Sequence, residues 1–183
     1  MLALDSPRWA TMRKEGAYST VVPSLLARLY KPANFMDEEG AFRSLKLAVI
    51  RCGQVDEVSY AAVPHLLSLA KSGGLMPWDY LGLVAEIEAR RTVGMGSTVP
   101  DDLARAYFDA LQGVPQLVAD CKPNGASENV VGRLAGVLAV AYGQPRLGMA
   151  IIELGYELQE GKGKISCSEC GEAYAVPKHL LRC

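Results

Sequence analysis

Cys167, Cys170, His179 and Cys183 fall within the last 17 residues of a 183-residue chain, in the order C-x2-C-x8-H-x3-C. Thiolate and imidazole are the ligands of a tetrahedral zinc site, and each close pair offers two donors from one local element. The first pair suits a knuckle, with Gly171 able to take the positive φ of a tight turn. Around it, "KIS" and "EAYAV" are expected to form the two arms of a short hairpin. Pro177 can open a final helical turn on which His179 and Cys183, four apart, share one face. Four protein ligands leave no position for water, so the zinc expected here is structural and not catalytic. The loop of eight is shorter than the twelve of a nucleic-acid-reading finger. A redox CxxC needs a strand-helix unit to depress the thiol pKa, whereas the preceding "QEGKGK" reads as a flexible linker.

Elsewhere the sequence offers little chemistry. The chain holds five cysteines, an odd number, and three of them sit in that tail, which is not the even distribution of a secreted disulfide framework. Cys52 and Cys121 each end an apolar pattern and are expected as buried small hydrophobes. His65 follows Pro64 on an apolar segment and reads as a packed or surface residue, not a catalytic base. No phosphate-cradling, nucleophile-elbow or HExxH motif is present, and "GMGS" at Gly94 to Ser97 lacks the preceding strand of a dinucleotide turn. The chain is therefore read as a protein that is not an enzyme.

A net charge of −1 and a pI near 6.1 give no global field toward nucleic acid or an anionic membrane. The start, "MLALDSPRWATMRKEG", lacks the apolar stretch of a secretory signal, and no segment reaches the roughly 18 uninterrupted apolar residues of a membrane span. A cytoplasmic location is expected.

These residues must be positioned by helices, because the periodicity over 1–160 is helical. In "DEEGAFRSLKLAVIRC" the residues Phe42, Leu45, Val49 and Cys52 share one face. In "PWDYLGLVAEIEARR" Tyr80, Leu83, Val84 and Ile87 form a stripe, with Glu86 four residues before Arg90 in the favourable order for an ion pair. "VPDDLARAYFDAL" places Pro100 at a helix start, acids in the first turn where the dipole favours them, and Leu103, Tyr107 and Leu111 on one side. "SENVVGRLAGVLAVAYG", capped by Ser127, is apolar on most sides and is expected to be a central helix, its small residues Gly132, Ala135, Gly136 and Ala139 admitting close neighbours.

"AYSTVVPSLLARLY", "SYAAVPHLLSLAK" and "FDALQGVPQLVADC" echo one another, with prolines at 23, 64 and 115. Spacings of 41 and 51 residues are near the roughly 40 to 47 of HEAT and armadillo repeats, with each proline expected to enter a helix. The fold class expected is all-α, HEAT-like stacked helical hairpins over 1–160 with a small zinc-knuckle-like tail at 161–183.

"LDSPRWATM", "AYSTVVPSLLARL" and "SYAAVPHLLSLA" together resemble a group of bacterial HEAT-like proteins with a "DxPRW" opening and a "YAAVPHL" segment. The resemblance is close over the first half and looser beyond it. The chain departs from the group at "RCGQVDEV", Arg51 to Val58, where members carry a histidine, so no role of that histidine carries over. The resemblance implies a partner-binding protein, in concrete form an immunity protein that neutralises a cognate bacterial toxin by covering its active site. Acidic positions Asp37, Glu38, Glu39, Asp101 and Asp102 are the candidates to face a basic partner, or are helix caps. The alternative is a zinc-containing nucleic-acid-binding or regulatory protein using Lys162, Lys164, Lys178 and Arg182, whose few charges would give weak, salt-sensitive binding.

Overall fold

The computed structural model describes residues 1–12, 20–72, 77–121, 128–159, 164–166 and 173–175. Along the chain run α1 (Arg8–Thr11), α2 (Val22–Tyr30), α3 (Phe35–Val49), α4 (Glu57–Lys71) and α5 (Pro77–Thr92). They are followed by α6 (Asp101–Gln112), α7 (Val114–Asp120), α8 (Glu128–Ala141), α9 (Pro145–Gln159), β1 (Lys164–Ser166) and β2 (Ala173–Ala175). The protein is mostly helical, and among the described residues no helix is long and apolar enough to cross a membrane.

Local chemistry sets the helix starts. The Asn34 side chain accepts from the Asp37 N–H at 3.0 Å and opens α3. Asp56 opens α4 with a capping box: its Oδ1 accepts from the Val58 N–H at 3.0 Å, and Ser59 Oγ accepts the Asp56 N–H at 2.9 Å. The same Ser59 hydroxyl donates to the Val49 carbonyl at 2.5 Å, tying the start of α4 to the end of α3. Pro23 and Pro115 sit in the first turns of α2 and α7, where a missing N–H is harmless.

Pro64 does not. It lies inside α4, because the Asp56 box starts that helix eight residues earlier and the surrounding packing carries it through the proline. The expectation that each of the three prolines enters a helix is corrected at this position.

α4 is also the centre of the molecule. Eleven of its 15 residues are buried, and it packs against α2, α3, α5, α6 and α7. α5 lies beside it and carries the packing on to α8 and α9, while α2 pairs with α3. The expectation that α8 is the central helix is corrected: Val131 is 50 % exposed, and the inward residues Leu134, Val137 and Val140 give it one buried face. The glycine reading of that helix holds at one point. A Cβ on Gly136 would stand 2.7 Å from Ile152 Cγ1 and 2.8 Å from the Gly148 carbonyl, and one on Gly148 would stand 2.4 Å from Val140 Cγ2. α8 and α9 therefore meet backbone to backbone, a separation no larger residue permits.

The α5 stripe is as expected, with Tyr80, Leu83, Val84 and Ile87 all buried. On α3, Leu45 and Val49 are buried and Phe42 packs edge-on to Tyr80 at 5.5 Å between centroids. Cys52 leaves that stripe. The helix ends at Val49, and Cys52 (φ 47°) and Gly53 (φ 78°) form the two positive-φ positions of a tight turn closed by paired bonds between Arg51 and Gln54. Cys52 is consequently exposed, which corrects its reading as a buried hydrophobe; Cys121 is half-buried. β1 and β2 pair antiparallel with Ile165 opposite Tyr174.

Candidate functional site

Two loops that precede helices, residues 50–56 before α4 and 93–100 before α6, run side by side and enclose an open cleft of about 740 Å³. A parallel bridge joins them. The Val55 N–H donates to the Met95 carbonyl at 3.1 Å and the Ser97 N–H donates to the Val55 carbonyl at 3.2 Å. Beneath the bridge the hydroxyl of Tyr60, a fully buried residue of α4, donates to the Ser97 carbonyl at 2.6 Å. Gly96 is required there, since a Cβ would stand 2.6 Å from both Tyr60 Oη and Val55 Cγ2.

The far end of the cleft is held by Arg90. Its guanidinium donates to the Gly53 carbonyl at 2.8 Å and to Glu86 Oε1 at 2.9 Å, and Glu86 Oε2 lies 3.0 Å from Lys46 Nζ on α3. The positive-φ turn is thus fixed to α5 and α3 together. The Glu86–Arg90 pair expected from spacing is present and serves this purpose.

At the other end the loops deliver carboxylates. Asp56 and Glu57 stand at the start of α4, and Asp101 and Asp102 at the start of α6, where the helix dipole favours negative charge. Arg8 joins the two helix starts, donating to Glu57 Oε2 at 3.0 Å and to Asp102 Oδ2 at 2.7 Å. Its hydrogen bond holds the Asp102 carboxyl below the ordinary carboxylate range, and Asp102 in turn raises the guanidinium pKa. Arg8 thus pairs with two of the four carboxylates at these helix starts, Glu57 and Asp102, leaving Asp56 and Asp101 outside the pairing.

The candidate acidic residues divide between two places. Asp101 and Asp102 stand at the start of α6, just beyond the cleft-lining residues 94–98, and Asp102 reaches the cleft-lining Glu57 through Arg8. Asp37, Glu38 and Glu39 lie at the start of α3, about 15–18 Å along that helix from its end near the cleft. Asp37 is paired with Arg28 at 2.5 Å, which lowers its pKa, and Glu39 with Arg43 at 2.5 Å. Glu38 faces inward, 1 % exposed, and accepts from the Tyr80 hydroxyl at 2.5 Å, so its reading as a partner-facing residue is corrected. Cys167, Cys170, His179 and Cys183 lie outside the described residues. Among the described residues no group of three or more His, Cys, Asp or Glu could hold a metal ion.

His65 is a packed residue, 2 % exposed. Its Nε2 lies 2.8 Å from the Leu2 carbonyl, which can only accept, so Nε2 carries the proton and Nδ1 accepts from the Tyr30 hydroxyl at 3.1 Å. Burial depresses its pKa. A partly buried ion pair, Glu88 with Arg91, accepts the Tyr107 hydroxyl on Glu88 and braces α5 against α6.

Sequence reasoning missed Arg8, Glu57 and the cleft as a whole. "GMGS" carried the signal available, since two glycines in four residues mark positive φ or close backbone approach, and Gly94 (φ 85°) and Gly96 supply one of each. No family model matches the chain, and no curated protein or solved structure matches it.

Proposed function

We propose that the chain is a partner-binding helical protein, HEAT-like in its succession of paired helices, which engages a protein at the cleft between the α4 and α6 loops. In concrete form the partner is a cognate bacterial toxin whose active site the helical body covers. The observation that carries this reading is the open cleft, walled by loop residues of which most are exposed, with the acidic starts of two helices at one end. Such a surface offers hydrogen bonds and charge to a protein ligand, while the buried titratable residues Glu38 and His65 are directed elsewhere. In the same reading, Cys167, Cys170, His179 and Cys183 hold a structural zinc; their spacing supports it, and β1 and β2 lie in the chain on either side of the first pair.

The test is capture of the tagged chain from cells that make it, after nuclease treatment and at physiological salt, beside an Asp101→Lys variant. One stoichiometric protein that the variant loses is expected. Recovery of the chain alone, or of nucleic acid in place of protein, refutes the partner-binding reading. A partner retained by the variant refutes the cleft as its seat.

A further inference from the structure

The bridge between Val55 and the 95–97 segment uses only one side of that segment. In parallel pairing, the residue lying between the two bonds to its neighbour turns its own N–H and C=O to the opposite edge. Here that residue is Gly96, flanked by the bonds through Met95 and Ser97. It is exposed, it lines the cleft, and among the described residues neither of its main-chain groups has a hydrogen-bond partner. An exposed edge of this kind is a template for another strand.

We infer that the cleft receives an extended, basic segment of a protein partner as an added strand along Gly96, with its cationic side chains directed at Asp101, Asp102 and Glu57. This rests on the partner-binding reading above and names the site and chemistry of the contact. Three features favour that occupant. The template is rigid, since the Tyr60 hydroxyl holds the Ser97 carbonyl, the Val55 bridge holds both neighbours of Gly96, and the Gly96 α-carbon is seated against Tyr60 and Val55. The chain enters α6 directly after it, so a strand along 95–98 reaches the acidic helix start within a few residues. Charge favours a cationic occupant: among the described residues Asp56, Glu57, Asp101 and Asp102 place four carboxylates at the two helix starts, of which Arg8 pairs with Glu57 and Asp102, while Arg51 lines the turn end of the cleft; Asp101 is exposed and the Asp102 side chain 51 % exposed.

The probes are fluorescent octapeptides of alternating Lys and Val, the same sequence with Glu in place of Lys, and the Lys-Val peptide N-methylated at alternate residues, each titrated into the full chain. The Lys-Val peptide is expected to bind and to shift and protect the Gly96 amide in NMR hydrogen exchange. The Glu-Val peptide should bind at least tenfold more weakly. Methylation on the bonding edge should cost about tenfold, the scale of one or two lost hydrogen bonds. Asp101→Lys should cost about fivefold without altering the helical signal.

Binding that ignores N-methylation, or that leaves the Gly96 amide unprotected, overturns strand addition and reduces the contact to charge attraction. Absence of Lys-Val binding overturns the inference itself. The capture experiment then reports separately on whether the chain has a protein partner at all, so the two failures are distinguishable.

Discussion

Replacing Gly96 with alanine should destabilise the protein through one identifiable collision. The new methyl would stand 2.6 Å from Tyr60 Oη and from Val55 Cγ2, and 3.2 Å from the Val55 carbonyl. Tyr60 is fully buried and Val55 is 3 % exposed, so neither can swing aside as a surface side chain would. Overpacking of this kind costs about 2 kcal/mol, which for a chain of this size lowers Tm by about 4–8 °C. Tyr60→Phe removes the hydroxyl and its 2.6 Å bond to the Ser97 carbonyl, at a cost of about 1 kcal/mol. Because Ser97 is exposed, its carbonyl can recover water, which places that cost toward the low end. In the double variant the collision with the oxygen is absent while that with Val55 remains. The two losses should therefore fall short of additivity by about 1 kcal/mol. Urea denaturation of the four proteins, compared at constant m, measures the cycle. Strict additivity, or a neutral Gly96→Ala, would refute the claim that the 93–100 loop is seated on Tyr60.

Other outcomes follow from the same structure. His65 has a depressed folded pKa, so the unfolded chain takes up its proton first; stability should be intact above about pH 6.5 and fall as pH drops from there through the folded value. Urea midpoints for the wild type and His65→Gln across pH 7.5 to 5 check this, the variant lacking that part of the slope. Gly148→Ala places a methyl 2.6 Å from the Gly136 carbonyl and should cost about 3 kcal/mol by forcing α8 from α9, read as a drop in Tm larger than that of Ala150→Gly on an exposed site. Arg8→Ala should return the Asp102 carboxyl toward its ordinary pKa, seen by NMR titration, while costing no more than about 1 kcal/mol because the pair is partly exposed. For the tail, one zinc per chain by metal analysis is expected, and Cys167→Ser should release it without loss of helical signal from residues 1–160.

The parts of this fold that could be read in advance are those in which one element reports on itself. The α5 stripe and the Glu86–Arg90 pair depend on 3.6-residue spacing alone, and both are present. Where two elements compete for the same residues, spacing failed. The α3 stripe runs on to Cys52 by periodicity, yet the Cys52–Gly53 turn ends the pattern to bring the chain round to α4. Pro64 signals a helix start by type, yet the Asp56 box is the stronger start and tertiary packing tolerates the proline. Acidity at Glu38 indicated a surface position, but Tyr80 arrives from 42 residues away to meet it. The cleft was illegible for the same reason, since Val55 and Gly96 are joined by main-chain bonds that no side-chain pattern encodes.

The burial of α4 has a consequence for how such a protein can change over time. A helix with eleven of 15 residues enclosed by five neighbours offers almost no position at which substitution is free. The exposed side chains of the cleft loops, such as Arg51, Gln54, Met95 and Thr98, and the outer face of α3 with Met36 71 % and Leu47 73 % exposed, are bound by no such constraint. Sequence can therefore diverge at these exposed positions while the central helix, Val55, Asp56 and Gly96 stay fixed, so that the surface of the cleft changes on an unchanged frame.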